Sequence, residues 1–130
     1  MTTVLLDTHV VHWWSSEPER LSSKARKAIL AADELAVSTI SWYELAWMAK
    51  NERIVVSIPI RSWLEAIAED VRTIGITPAI ADTAVVLAST FLGDPADRII
   101  YATAVEHGWT LLTKDRKLLR HPFPRQVALW

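Results

Sequence analysis

Short apolar runs alternate along this chain with longer segments in which apolar residues recur at helical spacing. The short runs are bounded by polar residues or glycine and are typical of buried strands. They predict strands over Thr3–Leu6, Leu35–Thr39, Thr73–Thr77 and Trp109–Thr113, with Val127–Trp130 as a further strand at the edge of the sheet.

The longer segments predict helices, and some of them begin at residues that favour a helix start. Ser22 and Ser23 can cap a helix that runs to about Ala32, and the pair Asp94-Pro95 opens one that ends near Gly108. Further helices are predicted over Ile40–Lys50, around Trp63, Ile67 and Val71, and from Pro78 to about Phe91, with a short extended piece at Val55–Ile58.

This alternation predicts an α/β fold with a mostly parallel central sheet and helices on both of its faces. A length of 130 residues fits a single domain, residues 1–130, with one core of its own. In such sheets, functional sites form beyond the carboxyl ends of the strands. The residues that follow each predicted strand are therefore the first candidates for function.

Composition narrows the chemistry that such a site can use. The chain contains no Cys, so a metal site has only oxygen and nitrogen ligands, which favours hard cations such as Mg²⁺ or Mn²⁺. A net charge of −1 provides no overall attraction for nucleic acid, although a local basic patch suffices for binding. Neither a signal peptide nor a membrane-spanning apolar run is visible, so we expect a cytoplasmic protein without a membrane partner.

Two aspartates lie where predicted strands end. Asp7 directly follows the first strand, and Asp115 comes shortly after Thr113 at the end of the fourth. Because the carboxyl ends of parallel strands meet at one edge of a sheet, we expect both side chains at the candidate site. Each aspartate also has a simpler interpretation as a turn or helix N-cap residue, since Asp often fills those positions.

Three further acids lie within or at the start of predicted helices. Glu44 has Ile40 and Met48 one helical turn away on either side, so its carboxylate needs a basic partner or a metal unless it faces solvent. Asp94 and Asp97 bracket a helix start, where capping alone explains an acid at both positions. The periodicity of the sequence does not decide between capping and catalysis for these residues.

Taken together, the acids point to one kind of chemistry. Carboxylates packed together repel and raise each other's pKa, and they stay ionised when a divalent cation lies among them. Such a cation lowers the pKa of a bound water, orients a phosphodiester and stabilises an oxyanion leaving group. The acidic set is therefore the one that metal-assisted phosphodiester hydrolysis needs, without a covalent nucleophile.

Four segments of the chain, in this order, resemble PIN-domain nucleases, specifically the VapC-type toxins of bacterial and archaeal toxin–antitoxin pairs. They extend over nearly the whole chain, from Thr3 to Asp115. The segments are LLDTH at 5–9, STISWYEL at 38–45, DPADRIIYATA at 94–104 and LLTKD at 111–115, and the third is the most specific.

The resemblance implies a role for each matching residue. The acidic quartet of the family corresponds to Asp7, Glu44, Asp97 and Asp115. Of these, Asp7 and Asp97 are implied as the main ligands of Mg²⁺ or Mn²⁺, and Glu44 and Asp115 as ligands that act directly or through water. Supporting positions correspond to Thr8 and Thr113, whose hydroxyls assist the site, to Asp94 as a capping residue, and to Arg98, which can pair with the carboxylates.

The resemblance also implies a three-layer α/β/α sandwich, an RNA substrate and a homodimer. It further implies inhibition by an antitoxin peptide that lies over the active site. A basic run beside Asp115 either grips RNA phosphates or forms a solvated helix face. This run consists of Lys114, Arg116, Lys117 and Arg120.

Several aromatic and histidine side chains near the motifs have two interpretations. Histidines at 9 and 12 are potential ligands, but a packing or hydrogen-bonding role is favoured for a His that is not clustered with other ligands. The tryptophans line an antitoxin groove or dimer face, or else they belong to the core. The residues in question are His9, His12, Trp13, Trp14, Trp42 and Trp47.

The hypothesis from the sequence is an endoribonuclease that depends on Mg²⁺ or Mn²⁺ and acts as a toxin. A first alternative is a PIN protein that processes RNA without an antitoxin. A HAD-like phosphatase also places Asp after its first strand, but it needs another Asp two residues later, where this chain has His9. A non-enzymatic, receiver-like or binding module is the last alternative and needs no acidic quartet.

Overall fold

A five-stranded parallel sheet forms the centre of the protein in this computed structural model, which describes residues 1–87 and 93–130. The strands lie in the order β3-β2-β1-β4-β5, and every pair of neighbours is parallel. Their bounds are β1 Thr3–Leu6, β2 Glu34–Ser38, β3 Arg72–Ile74, β4 Thr110–Leu112 and β5 Ala128–Leu129. The predicted parallel sheet is confirmed, and the last strand lies at its edge as expected.

Helices connect these strands and cover both faces of the sheet. Their bounds are α1 Thr8–Ser16, α2 Ser23–Ala31, α3 Thr39–Lys50, α4 Ile60–Ala68, α5 Pro78–Leu87, α6 Pro95–His107 and α7 Arg116–Arg120, with a 3-10 turn at Pro18–Arg20. Within the described ranges, no helix has the length and apolar character needed to cross a membrane.

Two hydrophobic clusters, one on each face of the sheet, make the fold a three-layer α/β/α sandwich. Successive strand residues point to opposite faces, so Leu5 and Leu111 pack with α5, α6 and α7, whereas Leu6 and Leu112 pack with α1 to α4. All four side chains are fully buried. A strand buried on both faces reads as a continuous apolar run, which is why the strands were recognisable from the sequence.

The structure contains a helix, α1, that is absent from the predicted elements. Helix α1 was not predicted, because Thr8–Ser16 is rich in β-branched and aromatic residues and follows β1 without a loop. Val55–Ile58, predicted as a short extended piece, lies in the irregular segment between α3 and α4. The predicted end of the helix near Phe91 lies outside the described residues.

Candidate active site

Asp7 lies at the carboxyl end of β1 and caps the unpredicted helix α1. Its Oδ1 accepts a hydrogen bond of 2.8 Å from the backbone N–H of Thr8, and its Oδ2 accepts one of 2.6 Å from the Thr113 hydroxyl. That hydroxyl in turn accepts the backbone N–H of Asp115 at 3.0 Å. The one proton of Thr113 is therefore directed at Asp7, because β1 and β4 end side by side in the sheet.

Glu44 is held by a second hydroxyl arrangement that joins α1 to α3. The Thr8 hydroxyl donates a hydrogen bond of 2.6 Å to Glu44 Oε1, and the Thr8 hydroxyl oxygen lies 2.9 Å from the hydroxyl oxygen of Ser41. Since the proton of Thr8 is used for the carboxylate, Ser41 must donate to Thr8 when Glu44 is ionised. Ser41 and Thr8 are buried, so this chain of hydroxyls is fixed by packing.

Asp94 and Asp97 mark the start of α6, as predicted. Asp94 is the N-cap, and its Oδ1 accepts the backbone N–H of Asp97 at 2.8 Å. Pro95 at the first helical position has no N–H to satisfy, which favours a helix start here. Asp97 lies in the first turn of the helix with its carboxyl group half-buried.

These acids line one cleft at the carboxyl edge of the sheet. The cleft has a volume of about 500 Å³ and brings together side chains from β1, α1, α3, α6 and the end of β4. Its lining residues are Asp7, Thr8, His9, Trp13, Glu44, Asp94, Asp97, Lys114 and Asp115. We call this space the acid cleft.

Burial and mutual repulsion disfavour the ionised carboxylates in the acid cleft. For Asp97, burial first and then the negative charges of Asp94, Asp7, Asp115 and Glu44 raise the pKa to about 7. Burial also raises the pKa of Asp7, although the hydrogen bonds from Thr113 and Thr8 oppose that shift. The acids thus form one interacting electrostatic group.

The pKa of Glu44 shifts in the same direction. Burial is the largest cause, the hydrogen bond from Thr8 opposes it, and the charges of Asp7 and Asp94 add to it. A divalent cation would relieve the repulsion among these groups and hold them ionised at neutral pH.

The donors in the acid cleft fit a hard divalent cation in kind. They are carboxylate oxygens without thiolate, and such oxygens are the ligands that Mg²⁺ and Mn²⁺ prefer. Among the described residues, no three His, Asp or Glu side chains lie close enough together to form a ready-made metal-binding cluster. The fit therefore rests on the chemistry and electrostatics of the acids rather than on a preformed coordination shell.

Comparison with known proteins identifies the family. The model of the PIN domain matches residues 4–124, which is most of the chain. The chain belongs to the PIN domain family. Across the full length of both proteins it is also 65% identical to Ribonuclease VapC22 of Mycobacterium tuberculosis strain ATCC 25618 / H37Rv.

Solved structures with the same fold include complexes of toxins with antitoxins. A toxin–antitoxin complex from Klebsiella pneumoniae matches with a TM-score of 0.70 and 23% identity over 98% of this chain and 96% of that chain. VapBC2 from Rickettsia felis, bound to a DNA fragment from its promoter, matches with a TM-score of 0.72 and 17% identity over 98% of both chains. The resemblance to VapC-type PIN domains is confirmed, and the HAD-like phosphatase is no longer an alternative.

The predicted supporting residues Thr8, Thr113 and Arg98 differ in what they contact. Thr8 and Thr113 touch the acids as described above. Arg98, in contrast, forms no ion pair with the acids among the described residues, so its pairing with them stays a prediction. Its guanidinium donates a hydrogen bond of 2.6 Å to the carbonyl of Gly93, because one step along α6 turns Arg98 about 100° away from Asp97.

The basic run divides in the structure. Lys114 is exposed, lines the acid cleft and places its Nζ 5.8 Å from the centre of the Trp13 ring. The other cations, Arg116, Lys117 and Arg120, are exposed on α7 beside the cleft, while Leu118 on the same helix is buried. Contact with RNA stays a prediction for all four.

The tryptophans also divide between core and surface. Trp14 and Trp42 pack against the cluster on the α1–α4 face, and the indole of Trp42 donates to the Thr73 hydroxyl at 3.2 Å. Trp13 is 8% exposed but forms a wall of the acid cleft, and Trp47 is 45% exposed. Sequence alone left both interpretations open, since helical spacing does not show which turn of a helix meets solvent.

Ser41 is a site residue that the sequence analysis missed. It lies in STISWYEL one helical turn before Leu45, in a position where a buried hydroxyl needs a partner. The signal was its place three residues before Glu44, which puts both side chains on neighbouring positions of one helix face. His9, expected to be structural, also lines the cleft and its ring lies 6.0 Å from that of Trp13.

Proposed function

We propose that this protein is a metal-dependent endoribonuclease and the toxin of a VapC-type toxin–antitoxin pair, acting in the cytoplasm. The convergence of Asp7, Glu44, Asp97 and Asp115 on one cleft carries the proposal. Membership of the PIN domain family and the identity with Ribonuclease VapC22 support it. We assign the catalytic role to these four acids.

We propose that Asp7 and Asp97 hold a Mg²⁺ or Mn²⁺ ion, with Glu44 and Asp115 binding it directly or through water. When bound, such an ion lowers the pKa of a coordinated water and offsets charge on a phosphodiester. The hydrogen bonds from Thr113 and Thr8 orient one oxygen each of Asp7 and Glu44.

Lys114 is the cation of this chain that best serves the RNA backbone. It is the basic residue that lines the acid cleft, and its ammonium lies against the Trp13 ring. A positive charge at that place attracts a phosphate and partly offsets the negative charge of the acids. We propose that Arg116, Lys117 and Arg120 extend this attraction along α7.

RNA cleavage by the purified chain tests the activity. We expect mixed cellular RNA to be cut in the presence of Mg²⁺ or Mn²⁺, to be preserved in EDTA, and to be preserved with Asp7→Asn. Mapping of the new ends would give the cleavage site. Retained cleavage by Asp7→Asn would reject the assignment of the acids, and absence of cleavage by the wild-type chain would favour a non-enzymatic binding module.

We propose an antitoxin protein as the inhibitory partner. Support comes from structural neighbours that are toxin–antitoxin complexes and from apolar side chains exposed beside the end of α1. The exposed fractions of Val55 and Ile58 are 94% and 50%, and both line a cavity with side chains from the end of α1 and from α4. An amphipathic helix can use such side chains as anchors.

Co-expression with the product of an adjacent small open reading frame tests the partner. A toxin should become tolerated by the cell and its cleavage of RNA should stop when the two chains form a complex. We expect Val55→Ser to weaken that complex. A protein that has no such neighbour and is harmless alone would instead fit the RNA-processing alternative.

We propose a homodimer that uses the apolar surface between α5 and α6. The exposed fractions of Ile76 and Val85 are 45% and 74%, and both line a shallow cavity together with Ile99. Exposed apolar patches of this kind often mark a protein interface. Sedimentation of the wild-type chain should give a dimer, and Val85→Asp should shift it to a monomer.

A further inference from the structure

A second groove opens beside the acid cleft, between α1 and α3. It has a volume of about 500 Å³ and shares His9, Trp13 and Glu44 with the cleft. The two spaces therefore meet at common walls, and a chain that lies in one can continue into the other. We call this second space the side groove.

Each wall of the side groove carries a tryptophan with an arginine over its ring. The guanidinium carbon of Arg20 lies 5.1 Å from the centre of the Trp13 ring, and that of Arg53 lies 5.2 Å from the centre of the Trp47 ring. Tyr43, one turn before Trp47 on α3, is 67% exposed. The groove thus offers flat aromatic faces and planar cations together.

The turn that places Arg53 over Trp47 contains a residue in a disfavoured backbone conformation. Helix α3 ends with the N–H of Glu52 donating to Ala49 O at 3.2 Å and the N–H of Arg53 donating to Met48 O at 2.8 Å. Glu52 has a φ of 58°, a left-handed conformation that usually falls to glycine at this position of a helix end. Such strain in a non-glycine residue is more frequent beside functional sites.

Of the two arginines that line the side groove, one is paired with a carboxylate and the other can bind an anion. His12 pairs with Glu17 at 3.0 Å, and Arg20 lies 3.9 Å from the same carboxylate. Arg53, by contrast, makes no salt bridge within residues 1–87 and 93–130. Together with Lys114, which lies against Trp13 on the acid-cleft side, the arginines continue the line of positive charge away from the cleft.

We propose that the side groove binds the nucleotide of single-stranded RNA next to the scissile phosphate, with its base stacked on Trp47 or Tyr43 and its phosphate at Arg53. This inference rests on the proposed ribonuclease function. Single-stranded RNA is recognised through bases stacked on aromatic rings and arginine planes, and through cations along the backbone. A polynucleotide with a phosphate in the acid cleft must leave it, and the shared walls lead into the side groove.

The chemistry of the side groove favours RNA over an apolar peptide at this place. Its exposed side chains combine aromatic rings with guanidinium groups. The exposed aliphatic side chains of Val55 and Ile58 lie in the segment that follows α3. An antitoxin that binds across both regions would block RNA by competition. Arg53 lines both spaces, so the proposal predicts separable effects for Tyr43 and Trp47 on one side and for Val55 and Ile58 on the other.

Binding of RNA without cleavage tests the proposal. The probes are fluorescein-labelled homopolymeric oligoribonucleotides of each base, titrated in EDTA against the full-length chain with Asp7→Asn as the background. We expect Trp47→Ala and Arg53→Ala to raise the Kd about tenfold for at least one base, and Tyr43→Ala to raise it less. Arg53→Lys should restore only part of the loss, since it keeps the charge without the planar group.

Exposed residues of the same kinds on other surfaces supply the controls. Arg61→Ala and Phe123→Ala should leave the Kd unchanged, and melting curves should show that every variant is folded. If the groove variants bind RNA as tightly as the background does, the proposal is overturned. The same holds if these variants lose antitoxin binding but keep RNA binding. Failure of the wild-type chain to cleave RNA would instead reject the proposed function.

Discussion

The two ends of the sheet hold carboxyl groups whose pKa values shift in opposite directions. At the amino end, Glu34 Oε1 accepts hydrogen bonds from the Thr3 hydroxyl at 2.7 Å and from Arg72 at 3.1 Å, and these contacts lower the pKa of Glu34. At the carboxyl end, burial and neighbouring acids raise the pKa of Glu44 and of Asp97.

The two ends differ in whether the protein itself balances the negative charge of the carboxylates. Glu34 has its counter-charge within the protein, on the next strand. The acid cleft holds several acids whose hydrogen bonds come from neutral hydroxyls and backbone N–H groups, with Lys114 as the cation that lines it. Negative charge in excess of its partners is a feature of cation sites, and it distinguishes the cleft from a structural ion pair.

The largest effect should come from removing one acid of the cleft. Asp97→Asn or Asp7→Asn should reduce metal-dependent RNA cleavage more than ~100-fold, because a direct ligand matters more than its outer partners. Without metal, both variants should melt at the same temperature as the wild type or slightly higher, since like-charge repulsion falls. Initial rates and melting curves in EDTA check this.

The opposite end of the sheet supplies the matched control. Glu34→Gln removes a carboxylate of the same sheet without touching the cleft, and we expect its cleavage rate to stay at the wild-type level. The acid variants should also be non-additive, so that Asp7→Asn combined with Asp97→Asn is no less active than either alone. A multiplicative loss would show that the acids act independently.

The hydroxyls should have the next largest effect. Thr113→Val removes the hydrogen bond that orients Asp7, and it should lower metal affinity or activity roughly 10–100-fold. Thr113→Ser should recover most of the loss, and Ser41→Ala should have a smaller effect because it acts through Thr8. A titration of activity with Mn²⁺ separates lost metal affinity from a lost maximal rate. Wild-type behaviour of Thr113→Val would remove the hydroxyls from the mechanism.

The stability of the metal-free protein should depend on pH in the direction set by the raised pKa values. An acid whose pKa is about 7 when folded and 3.8 when unfolded binds more protons in the folded state between these values. The free energy of unfolding should therefore fall as pH rises through that window. Asp97→Asn should flatten the dependence, and Mg²⁺ should stabilise the wild type more at the alkaline end. Melting temperatures measured across this pH window, with and without EDTA, check the prediction. A melting temperature that rises with pH in EDTA would contradict it.

The smallest effect should come from Asp94, which caps α6. Asp94→Ala should cost ~1 kcal/mol of stability and reduce cleavage without abolishing it. Asp94→Asn keeps an N-cap acceptor and should restore the stability. If Asp94→Ala is fully inactive yet as stable as the wild type, the residue is a direct ligand and the division between Asp94 and Asp97 is wrong.

Much of the fold followed from local patterns in the sequence. Apolar runs marked the strands because a sheet covered on both faces buries every residue of a strand, as Leu5 and Leu6 illustrate. Helix α6 was recognisable from the sequence Asp94-Pro95, since an N-cap and Pro at the first position act locally. Helix α1 was missed because tertiary burial of Val10 and Val11 outweighs the weak helix preference of its residues.

The sequence by itself determined which acids follow the strands and start the helices, and the family to which those motifs belong. Only the tertiary structure decided that Ser41 completes the hydroxyl chain and that Trp47 is exposed while Trp14 is packed. The reason is physical: strand ends and caps are set by neighbours along the chain, whereas the direction and exposure of a side chain depend on elements packed from elsewhere.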